Sequence, residues 1–190
     1  RLLSNHALKA SHYQQALDYI DQALERARAA PIADLVYACK LQRREIVVRN
    51  NKKSSELLPA LPANTDIRDL SIRERASELN LAAVECINAS QFEEAANHLL
   101  EALKHVRMVS TEMKAVVLCN LARVHLELAN GDSAARHLAE AQRYSELAIA
   151  LHTSHNGTAY HHQGRVAHKR GDLKLARALY TKAIREKEAS

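Results

Sequence analysis

Tryptophan is absent from this 190-residue sequence, phenylalanine occurs once, glycine four times and proline three times. With few helix breakers and many Ala, Leu, Glu and Arg residues, the composition favours an all-α chain, because those side chains lose little rotamer freedom in a helix. The three cysteines, Cys39, Cys86 and Cys119, lie far apart inside apolar stretches. An odd number at such spacings gives neither a disulfide framework nor a zinc knuckle, so buried, reduced thiols and a cytoplasmic setting are expected. No apolar run approaches the roughly 20 residues that span a bilayer, and no membrane partner is expected. The chain opens at Arg1 without a basic-then-apolar leader, and its first residues read as the tail of a helix already under way. A fragment of a longer protein is expected. Catalytic signatures are missing as well. There is no Gly-rich phosphate loop, no HExxH and no GxSxG, so neither an enzyme nor a cofactor is expected.

What is present is a charge gradient and a repeat. The formal net charge is +5. Residues 157–190 carry eight Lys/Arg against Asp172, Glu186 and Glu188, while the first 156 residues balance at 19 of each sign. The basic excess therefore belongs to the last stretch alone.

Residues 1–30 read as the end of one helix, a turn at Ser11-His12, and a second helix from about Tyr13 whose stripe is Ala16, Ile20, Ala23, Leu24 and Ala27. Pro31 stops it or opens the next. A helix over 32–50 and a short one over 56–61 follow, the latter capped by Ser54 or Ser55 and limited by Pro59 and Pro62. After a loop at 63–66, with Asp66 or Asp69 as cap, a long helix runs from about Arg68 to Asn88. A turn at Ala89-Ser90-Gln91 leads into a partner from Phe92. The pattern then repeats as Met113 to Leu128, a turn at Ala129-Asn130-Gly131-Asp132, a helix to about Leu151, and a final pair over 157–170 and 172–188.

The second helices overlay. Small–large–small triplets occur at Ala16/Ile20/Ala23, Ala95/Leu99/Ala102, Ala134/Leu138/Ala141 and Ala176/Tyr180/Ala183, with all three members moving together by 79, 39 and 42 residues. The first shift hides one unit, projected at 55–63. The period is thus near 40, and the chain holds about four and a half units: a partial one at 1–30, a degenerate one at 32–65, then 68–109, 113–152 and 157–188. Small residues let helices approach closely while the large one fills the groove between them. One pair cannot cover its own apolar face, so neighbours bury it jointly.

The stretch Tyr160, Gly164, Ala167, Gly171-Asp172, Ala176, Tyr180, Ala183 resembles a tetratricopeptide repeat, as do Leu118-Asn120-Leu121-Ala122 with Ala134, Leu138 and Ala141, and Leu79-Ala82-Ala83 with Phe92, Ala95, Leu99 and Ala102. The resemblance implies one domain over 1–190, a right-handed α-solenoid superhelix of antiparallel helix pairs. Residues 32–65 depart most from the pattern. The period exceeds the family's usual one and is similar to that of longer-helix regulatory arrays, such as the sensor domains of large bacterial transcription activators.

The resemblance also implies a concave groove lined by the first helix of each pair. Helix spacing then turns Ser77, Asn80, Val84, Ile87 and Asn88 toward the groove, followed by Val116, Cys119, Asn120, Arg123 and Glu127, and lastly by Thr158, His161, His162, Arg165, His168 and Lys169. The residues expected to meet a partner are Asn80, Asn120, Arg123, His161, His162, Arg165 and Lys169. This surface runs from neutral to basic, which attracts an acidic peptide or protein surface. The carboxylate-clamp variant of the family is poorly matched. Asn120 sits at its asparagine position, but Ser77, Asn80, Thr158 and His162 stand where clamp partners belong.

Eleven histidines include a cluster at His152, His155, His161, His162 and His168. His161 and His168 are two turns apart, roughly 10 Å, too far to share an ion. His152 and His155 lack an acidic third ligand, so no metal is expected. A pH response is open, because histidine titrates near neutrality. The basic last unit and a second cluster (Lys40, Arg43, Arg44, Arg49, Lys52, Lys53) could touch phosphates, but the lack of stacking aromatics argues against direct nucleic-acid contact. Two functions remain: a non-catalytic scaffold holding a protein or peptide in the groove, or a ligand- or peptide-sensing regulatory domain of a larger transcription regulator or signalling protein. Leu173, Leu175 and Leu179 on the last helix suggest self-association through terminal repeats, or docking of a flanking domain.

Overall fold

The computed structural model describes residues 13–29, 39, 42, 43, 46, 72–106 and 110–189. Among these the fold is all-α, with seven α-helices, one 3-10 turn and no strand. No described helix is long and apolar enough to cross a membrane. The chain divides into two compact units, residues 1–65 and 66–190.

In the first unit, α1 (Tyr13–Ala29) buries Ala16, Leu17, Ile20 and Leu24 against Cys39 and Ile46. Beside this cluster the Arg43 Nε lies 2.7 Å from an Asp21 carboxylate oxygen. The turn at Ser11-His12, the stop at Pro31, most of the 32–50 helix, the 56–61 helix with its prolines, and the caps at Asp66 or Asp69 lie outside the described residues.

The second unit contains α2 (Ile72–Asn88), α3 (Phe92–Val106), α4 (Thr111–Leu128), a 3-10 turn (Gly131–Ser133), α5 (Ala134–Ile149), α6 (Asn156–Lys169) and α7 (Leu173–Ala189). Each helix packs on the next, and α4 also touches α2 and α6. Local chemistry sets the boundaries. Ser110, in extended conformation, caps α4 by accepting the Met113 N–H at 3.1 Å. Glu93 and Glu94 open α3 while Lys104 and His105 close it, matching the helix dipole at both ends.

Four of the connections are fully described, and each contains one residue in the left-handed region: Ser90 (φ 62°), Gly131 (57°), His152 (50°) and Gly171 (82°). At Ser90 the helix closes by the Gln91 N–H donating to Cys86 O at 2.8 Å. At Gly171 the equivalent bond runs from Asp172 to Ala167 O at 3.0 Å. This six-residue closure satisfies carbonyls that a helix end leaves open. Asp172 then caps α7, its Oδ1 accepting the Leu175 N–H at 2.9 Å. The Gly-Asp pair thus ends one helix and starts the next.

The core runs from α2 to α6. Ala95, Leu99 and Ala102 of the α3 triplet are wholly buried, as is Ala141 of the next, with Leu138 nearly so. In the last triplet Ala176 and Ala183 are buried and Tyr180 half-buried. Tyr180 lies flat against Gly164, where a Cβ would come within 2.6 Å of its ring, so the glycine is what admits the aromatic. Ala134 and Ala23 are only half-buried, being at the margins of their interfaces. α4 is different from the other helices: Ala115, Val117, Leu118, Cys119, Leu121, Ala122, Val124 and Leu126 are all buried, because neighbours cover it on most sides. On α7, Leu173, Leu175 and Ile184 are exposed and Leu179 is half-buried.

Two outcomes test this packing. Ala176→Leu overpacks the α6–α7 contact and lowers stability by roughly 1–3 kcal/mol in urea denaturation; an unchanged midpoint contradicts the helix register. Gly171 has nothing within 4 Å of an added Cβ, so Gly171→Ala loses only the backbone term, about 1 kcal/mol. The converse change, Ser90→Gly, relieves a strained residue and raises the melting temperature, where a drop contradicts the strain at that turn.

Candidate functional site

The alternate helices α2, α4 and α6 are joined by polar side chains spaced about 40 residues apart in sequence. The Asn120 Nδ2 donates to the Asn80 Oδ1 at 2.9 Å, 40 residues away in sequence. The Arg165 Nη2 donates to the Glu127 Oε1 at 2.9 Å across 38 residues, and the Lys169 Nζ donates to the Ala129 carbonyl at 3.2 Å across 40. At the other end of α4 and α6, the Ser154 hydroxyl donates to Glu112 at 3.2 Å, and the His155 Nε2 sits 3.6 Å from the same carboxylate. These links follow from helix packing. When α4 lies against both α2 and α6, residues one period apart meet, and polar ones at the margin pair with each other.

The residues expected to form a partner surface fall into three groups. Asn80 and Asn120 pair with each other and are half-buried. Arg165 is held by Glu127, and Lys169, though exposed, reaches back to a carbonyl. Arg123 is half-buried and has no ion pair among the described residues, while His161 is exposed. His162 is buried, at 6% exposure. Ile87 and Cys119, also placed on the open face by helix spacing alone, are buried too. Ile87 and Cys119 belong to the main core cluster, and α4 touches both α2 and α6, so less of these helices is open than a free helical wheel allows.

His162 gives this region its electrostatic character. Burial is the main cause holding its imidazole neutral, pushing its pKa down to about 3, and His161, Arg165, Arg123 and Lys187 add to the effect in that order. Its Nδ1 is buried without a hydrogen-bond partner among the described residues. Burial likewise lowers His161, followed by Lys187 and Arg165. His161 packs edge-on to His162, with ring centroids 5.8 Å apart, and tilts against Tyr180 at 5.5 Å. The cations around His162 therefore converge from α4, α6 and α7, with Glu127 as the acid paired to Arg165. Lys187 was outside the expected set, because only first helices were assigned to the surface. Gly157 is its sequence signal: a Cβ there would come within 2.6 Å of the Lys187 side chain, so glycine at that position lets α7 approach α6.

No protein-family model, curated protein or solved structure matches the chain.

The buried histidine makes stability pH-dependent in a definite direction. Its folded pKa lies below that of an exposed histidine, near 6.5, so on acidification the unfolded chain binds the proton first and stability is lost as pH falls below that value. Between about pH 7 and pH 5 the loss from this one group is roughly 1–2 kcal/mol. His162→Leu removes it. Stability measured by urea denaturation across this range falls less steeply for the variant; parallel curves for the two proteins contradict a neutral, buried His162.

Proposed function

We propose that residues 66–190 form part of a tetratricopeptide-like, right-handed solenoid of antiparallel helix pairs. Its role is that of a non-catalytic scaffold, with the face lined by α2, α4 and α6 receiving an acidic peptide or acidic protein segment. The observation that carries the reading is the row of links joining these three helices about 40 residues apart and ending in the cations Arg123, Arg165 and Lys187 around His162. In this architecture first helices line the inner surface and meet each other, and second helices spread outward. A row of first-helix contacts is in keeping with that arrangement, and so is the repeat read from the sequence.

Arg123 is the residue on which the proposal turns. It is half-buried, its charge is uncompensated among the described residues, and it lies close enough to the neutral, buried His162 to help hold that imidazole unprotonated. A partly desolvated, unpaired cation is costly by itself and favours an anionic partner. Arg165 contributes less sharply, since Glu127 already holds it. Reversal at position 165 would also release that carboxylate.

Fluorescence anisotropy with a labelled Glu/Asp-rich peptide tests the proposal against a neutral control in which Gln and Asn replace the acids. Arg123→Glu weakens binding of the acidic peptide at least about tenfold, and raising salt weakens wild-type binding, as expected for charge attraction in water. Far-UV circular dichroism stays unchanged. Equal affinity for acidic and neutral peptides, or an Arg123→Glu variant that binds as well as wild type, overturns the reading. Random DNA and RNA run beside it at the same salt show whether the cations hold phosphates instead.

A further inference from the structure

Away from this face, at the turn between α2 and α3, three side chains of different donor chemistry converge. Ligand atoms of Cys86, Glu94 and His98 all lie within 4.8 Å of one another. Glu94 and His98 stand one helical turn apart on α3, with the His98 Nε2 4.0 Å from the Glu94 Oε1. Cys86 comes from the last turns of α2. The backbone between them is fixed twice over: the Cys86 carbonyl accepts the Gln91 N–H at 2.8 Å, and the Gln91 carbonyl accepts the Ala95 N–H at 3.0 Å. Ile87, Ala95 and Leu99, interleaved with the three donors, are buried in the core. The donors are thus presented by two helices whose relation is set by packing. Cys86 and His98 are half-buried and Glu94 is exposed, which leaves the group open to solvent on one side.

We propose that Cys86, Glu94 and His98 form a three-ligand site for a borderline divalent transition metal of the zinc class. The donor set decides the class. A thiolate and an imidazole select zinc-like ions over magnesium or calcium, which take oxygen ligands. Ligands bonded at about 2.0–2.3 Å in a tetrahedron sit roughly 3.3–3.7 Å from each other, so closing from the observed arrangement needs side-chain rotations that move the donors by about 1 Å. The fourth position falls on the open side, where water or a group from a bound partner completes the tetrahedron.

The charge balance is consistent with a cation. Burial raises the Cys86 thiol, and the carboxylates of Glu94 and then Glu85 raise it further, so without a metal the sulfur keeps its proton. On binding, the S–H bond breaks, a sulfur–metal bond forms and the proton passes to solvent, with no change of oxidation state. Thiolate and carboxylate then supply two negative charges against the two positive charges of the ion. Glu94 thereby changes from a neighbour that repels the thiolate into a co-ligand of the same cation. Neither the Glu94–His98 spacing nor Cys86 singles the site out in the sequence, because the third donor arrives only when the 89–91 turn folds α3 back onto α2.

Cobalt titration of the reduced, chelator-treated full chain tests the proposal, because a cobalt–thiolate bond gives a near-ultraviolet charge-transfer band and tetrahedral ligation gives strong visible absorption. One equivalent of Co2+ produces both, and Zn2+ displaces it. Cys86→Ser abolishes the charge-transfer band, while the double variant Cys39→Ser/Cys119→Ser retains it. Glu94→Gln and His98→Gln each weaken Co2+ affinity at least about tenfold. Zn2+ raises the melting temperature of wild type but not of Cys86→Ser. A wild-type titration without the thiolate band, a band that survives in Cys86→Ser, or unchanged affinity in both Glu94→Gln and His98→Gln overturns the site.

Discussion

The second unit depends on α4 being covered by helices from both directions along the chain. Few of its residues reach solvent, because α2 and α3 pack on it from one side and α5 and α6 from the other. An isolated α2–α3 or α6–α7 pair has an amphipathic face with nothing to bury it, and α4 with α5 supplies the shared surface. Each pair's apolar stripe is therefore completed by its neighbours rather than by itself. Removing the middle of the array would expose the core on both sides at once.

This explains which features could be read from the residues. The triplets were legible because a close helix approach favours alanine and the groove beside it a large residue; Ala95, Leu99 and Ala102 are buried as their spacing implies, whereas Ala23 and Ala134 lie at the margins. Gly171 and Asp172 were legible because a left-handed residue followed by a helix cap has a narrow chemistry. Ser90 and His152 occupy the same left-handed conformation without glycine, so the turns could be placed but not their strain. The inward positions of Ile87, Cys119 and His162 were not legible either. Helix periodicity reports one buried stripe, whereas a first helix touching another first helix has a second, and no single-helix pattern distinguishes that second stripe from an open face.

The basic surface shows the same limit. Sequence position located the basic excess near the C-terminus. What the pattern could not give was the pairing of its cations. Glu127 neutralises Arg165 from α4, Lys187 approaches from α7, and His162 withdraws into the interior as a neutral group. The distinction between a paired cation and an unpaired one rests on residues about 40 positions apart. It makes Arg123, rather than the more numerous cations of the last pair, the residue with most electrostatic work left to do.

The spacing of these links bears on how the unit folds. The side-chain bonds that tie α2 to α4 and α4 to α6 span 38 to 42 residues, one period at a time. Closing loops of that length costs slightly less entropy than bringing the distant ends of a domain together, and contacts of modest sequence separation favour fast folding. Contacts of this local kind let neighbouring helices form without waiting for the whole unit. α7 packs on α6 and leaves Leu173, Leu175 and Ile184 exposed. Because Lys187 is carried on that helix, fraying there would also withdraw a positive charge from beside His161 and His162, so the potential at the basic end would follow the breathing of the last helix.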